Sequence, residues 1–180
     1  MIVRETPLAG VVVVEQERLT DERGFFARTF DAALLEAHGI DGRVAQMSTS
    51  FNPAAGTLRG MHYQPPPDEE GKLVRCTRGA AFDVVLDLRD GSPTRLQWHA
   101  EELSADNGRA LYAPPGCAHG FQTLVPDTEI LYVMNVPFVP GAGRGVRWDD
   151  PAFAIAWPEP PAGGRVMSER DATYPDFDAL

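Results

Sequence analysis

The sequence predicts an all-β protein folded as a sandwich or barrel. Short runs rich in Val, Phe, Tyr and Thr recur along the chain, 17 Gly and 16 Pro break them up almost evenly, and one segment alone has the composition of a helix. The runs that read as strands cover 10–15, 24–30, 44–51, 57–64, 72–77, 81–89, 96–103, 109–113, 120–124 and 129–136. The first is an unbroken apolar run, Val11–Val14. Turn chemistry separates the others: Gly56 before 57–64, Pro65, Pro66 and Pro67 after it, Gly91 and Pro93 before 96–103, and Pro114 and Gly116 after 109–113. The helix is expected over 31–38, where Asp31 can cap and Ala32, Leu34, Leu35 and Ala37 favour helical backbone. From Pro158 the chain turns Pro/Gly-rich and then polar, so the tail is expected to be irregular and to wrap the barrel. A wrapping tail can deliver a side chain to a site built elsewhere.

The 180 residues fit one domain over 1–180. A formal net charge of −10 sets no basic field for nucleic acid, although a few local arginines can hold a small phosphorylated ligand. No run approaches the ~20 apolar residues that cross a bilayer, and MIVRETPLAG lacks the basic start and apolar stretch of a signal peptide. Two cysteines, Cys76 and Cys117, make no disulfide framework and read as reduced thiols of a cytoplasmic protein.

Of the four histidines, His38 and His99 read as surface residues, whereas His62 and His119 stand in recognisable surroundings. Gly108, Pro114, Gly116 and His119 follow the spacing G-x5-P-x-G-x2-H, and Gly56 and His62 open a G-x5-H-x-H pattern in which Gln64 replaces the second His. The chain therefore resembles a cupin, which implies a double-sheet jelly roll. Two imidazoles and an amide make a poor divalent-metal site, and the prolines fill the loop from which Glu69 or Glu70 would have to reach. No metal and no cofactor are expected, which leaves His62 free for acid–base work.

Further motifs sharpen the resemblance. Asp21–Phe26 (DERGFF), Leu58–Gln64 (LRGMHYQ), Lys72–Cys76 (KLVRC), Asp83–Arg89, Gly91–Thr94 (GSPT), Ala118–Phe121 (AHGF), Trp148–Pro151 with Ile155–Pro158, and Ser168–Asp171 (SERD) occur in order along nearly the whole chain. Together they resemble the dTDP-4-dehydrorhamnose 3,5-epimerase family. The resemblance implies a nucleotide-linked 4-keto-6-deoxyhexose as substrate and inversion at a carbon beside the ketone through an enolate. Such a reaction needs a base, a group that holds the enolate oxygen, and an acid on the opposite face. By the match these are His62 as base with Asp171 as its partner, Lys72 near the C4 oxygen, and Tyr132 as proton donor. Taken singly, Asp171 and Lys72 would read as surface charges and Tyr132 as a packed aromatic; the ordered match makes them functional. The same match assigns substrate contacts to Arg23, Arg28, Gln46, Ser48, Arg59, His119, Phe138 and Arg170, with Phe138 where the family stacks a tyrosine on the base.

Three departures lie towards the nucleotide: Arg28 where Glu is usual, Ser48 where Asn is usual, and Gly143 near a usual Glu, with one extra residue between Gln46 and Gly56. The family also implies a homodimer paired through an extended N-terminal strand, a role the Val11–Val14 run fits. Two other readings stay open at this point. One is another cupin enzyme, a ketoisomerase or a metal-dependent dioxygenase. The other is a non-catalytic sugar-nucleotide-binding protein.

Overall fold

Alternation of side chains along the strands builds two sheets that face each other across a dry layer. The computed structural model describes residues 1–177. In chain order the elements are β1 (Ile2–Glu5), β2 (Val12–Glu15), β3 (Leu19–Asp21), β4 (Gly24–Phe26), α1 (Ala32–Ala37), β5 (Gln46–Asn52), β6 (Leu58–Tyr63), β7 (Lys72–Arg78), β8 (Ala80–Asp87), β9 (Trp98–Ser104), β10 (Ala110–Ala113), β11 (Cys117–Thr123), β12 (Thr128–Met134), β13 (Arg144–Gly145) and α2 (Glu169–Ala172). One sheet runs β1-β2-β10-β7-β12-β5, the other β13-β6-β11-β8-β9, and β3 and β4 pair only with each other. The strands within both sheets pair antiparallel. This is a double-sheet jelly roll of the cupin type.

Three apolar layers hold it. Val74 and Cys76 of β7, Ile130 of β12, Ala81 and Val85 of β8 and Phe121 of β11 meet between the sheets. Leu73 and Val133, one residue out of phase, face outward and are covered by Leu35 of α1 and by Ile40. On the other sheet, Met61, Val84, Leu86 and Ala118 face outward against Phe153 and Ile155, just before the tail. A fully buried Leu or Phe of this kind stabilises by about 2–3 kcal/mol. Because the inward period is two, Lys72 shares the inward face of Val74 and Cys76, and Tyr132 shares that of Ile130. Burial pushes the Cys76 thiol up to about 11 and Cys117 up to about 12, so neither serves as a nucleophile at neutral pH.

Several expectations change. The Val11–Val14 run is flanked on both sides by strands of its own chain, β1 and β10. Val11 and Val13 enter the layer between the sheets, and Val12 and Val14 lie under α1. A strand buried on both faces needs no alternation, which is why the run is unbroken. The strand expected over 24–30 stops at Phe26, and its partner Leu19–Asp21 and the edge strand Ile2–Glu5 are too short to stand out. The helix matches, with Asp31 Oδ1 accepting from Leu34 N. His99 is not a surface residue: it lies between the sheets with Nε2 3.8 Å from Glu101 Oε2, and burial holds its pKa below the usual value. The tail does wrap the barrel, but it carries one helical turn, α2, which Ser168 caps by accepting from Asp171 N at 3.1 Å.

Asp87 anchors the turn after β8. Its wholly buried carboxylate accepts from Arg89 N, Nε and Nη2 at 2.8–3.0 Å and from the hydroxyls of Ser92 and Thr94. Burial acts upward on its pKa, but these donors outweigh it and hold the carboxyl well below the usual range. A depressed carboxyl adds stability that is present above its unfolded pKa, about 3.9, and is lost as pH falls below that. Asp87→Asn is therefore expected to cost about 3 kcal/mol at pH 7. In urea unfolding followed from pH 7 to pH 3, the gap to wild type should hold down to about pH 4 and then narrow by about 1 kcal/mol by pH 3. A gap independent of pH would contradict this account.

Candidate active site

The site grows from a bulge in β6. Between Arg59 and His62 this strand holds one residue more than β11 does between Phe121 and His119, so the two histidines face each other in register. The strands approach so closely that a Cβ at Gly60 would lie 2.5 Å from Gly120 Cα. Within the bulge Gly60 has no ladder partner, and its N–H donates to Asp171 Oδ2 at 3.1 Å, while Asp171 Oδ1 pairs with His62 Nε2 at 2.8 Å. Burial acts upward on the Asp171 pKa, but His62, the Gly60 N–H and Ser168 outweigh it, so the carboxyl ionises below its usual range. An ionised carboxylate only accepts, so the proton of neutral His62 sits on Nε2 and the Nδ1 lone pair is free. The His62 side chain is 41% exposed and that of Asp171 only 7%, so the imidazole is reachable and its partner is not.

Tyr174, one turn beyond Asp171, locks this arrangement. Gly145 of β13 pairs with His62, and a Cβ there would lie 2.3 Å from the Tyr174 ring. The ring stands edge-on to His62 with centroids 6.2 Å apart.

A cavity of about 240 Å³ opens here, lined by His62, Gln64, Glu70, Lys72, Phe138 and Arg170, with Gly143 and Arg144 at its side. Lys72, first residue of β7 and 8% exposed, places Nζ 2.6 Å from Glu70 Oε1. Gln64 turns its amide nitrogen to Asp68 O at 3.0 Å. Glu70 is engaged by Lys72 and a neutral amide oxygen is a weak ligand, so the donor set does not suit a divalent metal, and among the described residues no three His, Cys, Asp or Glu side chains converge. Three cations and one carboxylate instead favour an anionic ligand.

A second group lies deeper, between β5, β11 and β12. Tyr132 OH is 3.0 Å from Ser50 Oγ, and its ring stands edge-on to His119. His119 Nε2 lies 2.9 and 3.0 Å from the two oxygens of Asp83, which is wholly buried. Burial pushes the Asp83 carboxyl up, against the pull of His119 and Lys72. Burial likewise pushes the Tyr132 phenol up to about 12; Ser50 and Arg59 act the other way, and Asp83 adds to the rise. Arg59 Nε donates to Asn52 Oδ1 at 2.8 Å. Ser48 faces Tyr132 in register, and Gln46 accepts from Phe138 N, tying the exposed Phe138 to the cavity rim. Arg170 Nη2 donates to Gly143 O at 3.2 Å. The missing side chain at Gly143 leaves open space, with nothing nearer than 3.7 Å.

Two expected contacts are not brought in. Arg23 sits in the β3–β4 hairpin, paired with Asp21 and 83% exposed, and Arg28 pairs with Asp31 at the start of α1. Neither lines the cavity: the hairpin joins neither large sheet, and Arg28 lies in the link from it to α1. Conversely, Ser50, Asp83 and Tyr174 were not singled out from sequence, and Glu70 was weighed there only as a metal ligand. Asp83 had a signal, an acid inside the apolar run FDVVL, and Ser50 had one too: every second residue from Gln46 to Asn52 is polar.

The sequence profile of the dTDP-4-dehydrorhamnose 3,5-epimerase family matches residues 5–179. The chain belongs to the dTDP-4-dehydrorhamnose 3,5-epimerase family. It is an enzyme of the epimerase class. It is 41% identical to the dTDP-4-dehydrorhamnose 3,5-epimerase of Sinorhizobium fredii, over 98% of this chain and 90% of that one. The crystal structure of the enzyme of that name from Elizabethkingia anophelis superposes with a TM-score of 0.94 at 32% identity, covering 99% of this chain and 97% of the other. That from Bacillus anthracis, with TDP and PPi bound, gives 0.91 at 38% identity, covering 98% and 99%.

Gly145→Ala tests the packing that seats Asp171. The new methyl must displace Tyr174, and α2 with it. A shift of about 1 Å in a positioned group costs roughly 100-fold, so kcat should fall by about 10- to 100-fold with little change in Tm. Gly145→Ala with Tyr174→Ala should recover part of the loss. Wild-type kcat in the single variant would show that α2 is seated without Tyr174.

Proposed function

We propose that the chain inverts C3 and C5 of a dTDP-linked 4-keto-6-deoxyhexose through an enolate, without metal or cofactor, in the cytoplasmic supply of a rhamnose-like sugar. The observation that carries this is the pairing of a reachable imidazole, its tautomer held by Asp171, with a buried phenol on the other side of the site. His62 Nδ1 takes the proton beside the ketone. The electron pair moves onto the C4 oxygen, where the Lys72 ammonium meets the developing charge, an interaction worth on the order of 3 kcal/mol. Tyr132 then delivers its proton to the opposite face of the carbon and the ketone re-forms. A phenol pushed up to about 12 stays protonated at neutral pH, as a donor must.

Arg59, His119, Arg170, Gln46 and Ser48 hold the substrate in this reading, with Phe138 stacked on the base. The Bacillus anthracis relative, which holds TDP and PPi, supports a diphosphate near the cavity cations. The functional unit is a single domain acting as a homodimer. The hairpin exposes Leu19 and Phe26, each at 70%, and β5 exposes Met47 and Phe51. A second copy that covers the hairpin accounts for these apolar side chains and gives Arg23 and Arg28 a route to a neighbouring site.

Incubation with dTDP-4-keto-6-deoxyglucose in D2O should place deuterium at C3 and C5 by NMR. His62→Ala should slow both exchange and inversion by roughly 10²- to 10⁴-fold. Tyr132→Phe should keep exchange and lose inversion. Equal loss of the two in Tyr132→Phe would assign the phenol to binding or packing. For the assembly, sedimentation should give a dimer for the wild type and a monomer for Phe26→Asp. A monomeric wild type would remove the homodimer.

A further inference from the structure

The inward face of β5 is polar throughout, with Gln46, Ser48, Ser50 and Asn52 on one side and Met47, Thr49 and Phe51 on the other. A strand that turns its polar side inward borders something other than core. Two of these side chains are tied to named site residues: Asn52 receives Arg59, and Ser50 sits 3.0 Å from the Tyr132 hydroxyl. Among the described residues, Ser50 is the one hydrogen-bond partner of that hydroxyl. The two are diagonal neighbours, since Tyr132 faces Ser48 and Ile130 faces Ser50 in register. The ring itself is held edge-on by His119, which Asp83 fixes.

We propose that Ser50 is a positioning residue for proton delivery: its hydroxyl donates to the Tyr132 oxygen, aims the phenolic O–H at the substrate, and holds the phenolate that forms. This rests on the reading of Tyr132 as the acid. A phenol has one proton. If that proton pointed at Ser50, it could not reach carbon. With Ser50 as donor, the Tyr132 proton is left to point into the site. In the transfer the Tyr132 O–H bond breaks and the enolate's electron pair forms the new C–H bond. The C4 oxygen loses its charge as the ketone returns, and the negative charge passes to the phenolate. A phenolate only accepts, and the Ser50 O–H already points at it, so no group has to turn during the step. Between turnovers His62 gives its extra proton to water and the phenolate takes one from water, so the cycle is neutral. Ser50 is half-buried on a strand whose neighbouring residues are exposed, which keeps this side of the tyrosine within reach of solvent.

The role acts on one face only. His62 can still remove a proton and return a deuteron to the same face without Ser50. Ser50→Ala, Ser50→Thr and Tyr132→Phe should be compared in D2O with dTDP-4-keto-6-deoxyglucose, following exchange and inversion together by NMR. Ser50→Ala should lower inversion by roughly 10- to 100-fold, the usual worth of a hydrogen bond to a charged group. Exchange should stay within about twofold, since the base face is untouched. Ser50→Thr, which keeps the hydroxyl, should restore the wild-type ratio. A wild-type ratio in Ser50→Ala, with inversion lost in Tyr132→Phe, would overturn the role of Ser50 alone. Parallel loss of exchange and inversion in Ser50→Ala would also overturn it, by making Ser50 a substrate contact. Undiminished inversion in Tyr132→Phe would remove the acid itself, and Ser50 with it.

Discussion

The hydrogen-bonded pair of Asp171 and His62 is the constraint around which the rest of the site is arranged. One carboxylate spends an oxygen on the imidazole and the other on the Gly60 N–H, so it is fixed to the side chain and the backbone of the same strand. Each condition for that contact can be traced to a residue. Gly60 and Gly120 let β6 and β11 approach, the bulge aims His62, Ser168 caps the turn that carries Asp171, and Gly145 leaves room for Tyr174 to hold the turn down. The carboxylate is drawn out of water and is stable there only because three sets of donors meet it.

The two faces of the site differ in their exposure to water. His62 is half-exposed and can trade protons with solvent, while Tyr132 lies in a drier region between three strands. Between them Lys72 is buried beside Glu70, close enough to Asp83 to pull on its ionisation. Charge that develops there is weakly screened, so a single ammonium counts for far more than it would at the surface.

Much of this was legible in the residues, for reasons that differ by element. The strand runs and the helix at 31–38 announced themselves through alternation, turn residues and a capping aspartate, because those signals are local. Val11–Val14 was legible as a strand but not as an internal one: burial on two faces and exposure to a partner leave the same apolar run. The turn at Glu169–Ala172 is too short to rise above its polar surroundings, and it exists because tertiary contacts hold it. His62, Asp171, Lys72 and Tyr132 were found through ordered motifs. The structure adds that Asp171 and Lys72 are almost wholly buried, which no single position reveals. Ser50 and Tyr174 act through residues 82 and about 110 positions away, and only the closed sheets bring such pairs together. The hairpin that carries Arg23 joins neither large sheet, so motif order alone did not say which cavity it serves.

Asp171 follows His62 by 109 residues. During synthesis the barrel strands, Lys72 and Tyr132 all emerge before the carboxylate that pairs with His62. A chain without the turn at Glu169–Ala172 would bury nearly the same core and keep nearly the same sheets, yet its imidazole would have no fixed tautomer. Assembly of the barrel and orientation of His62 are thus separate events, and the second waits for α2 to dock.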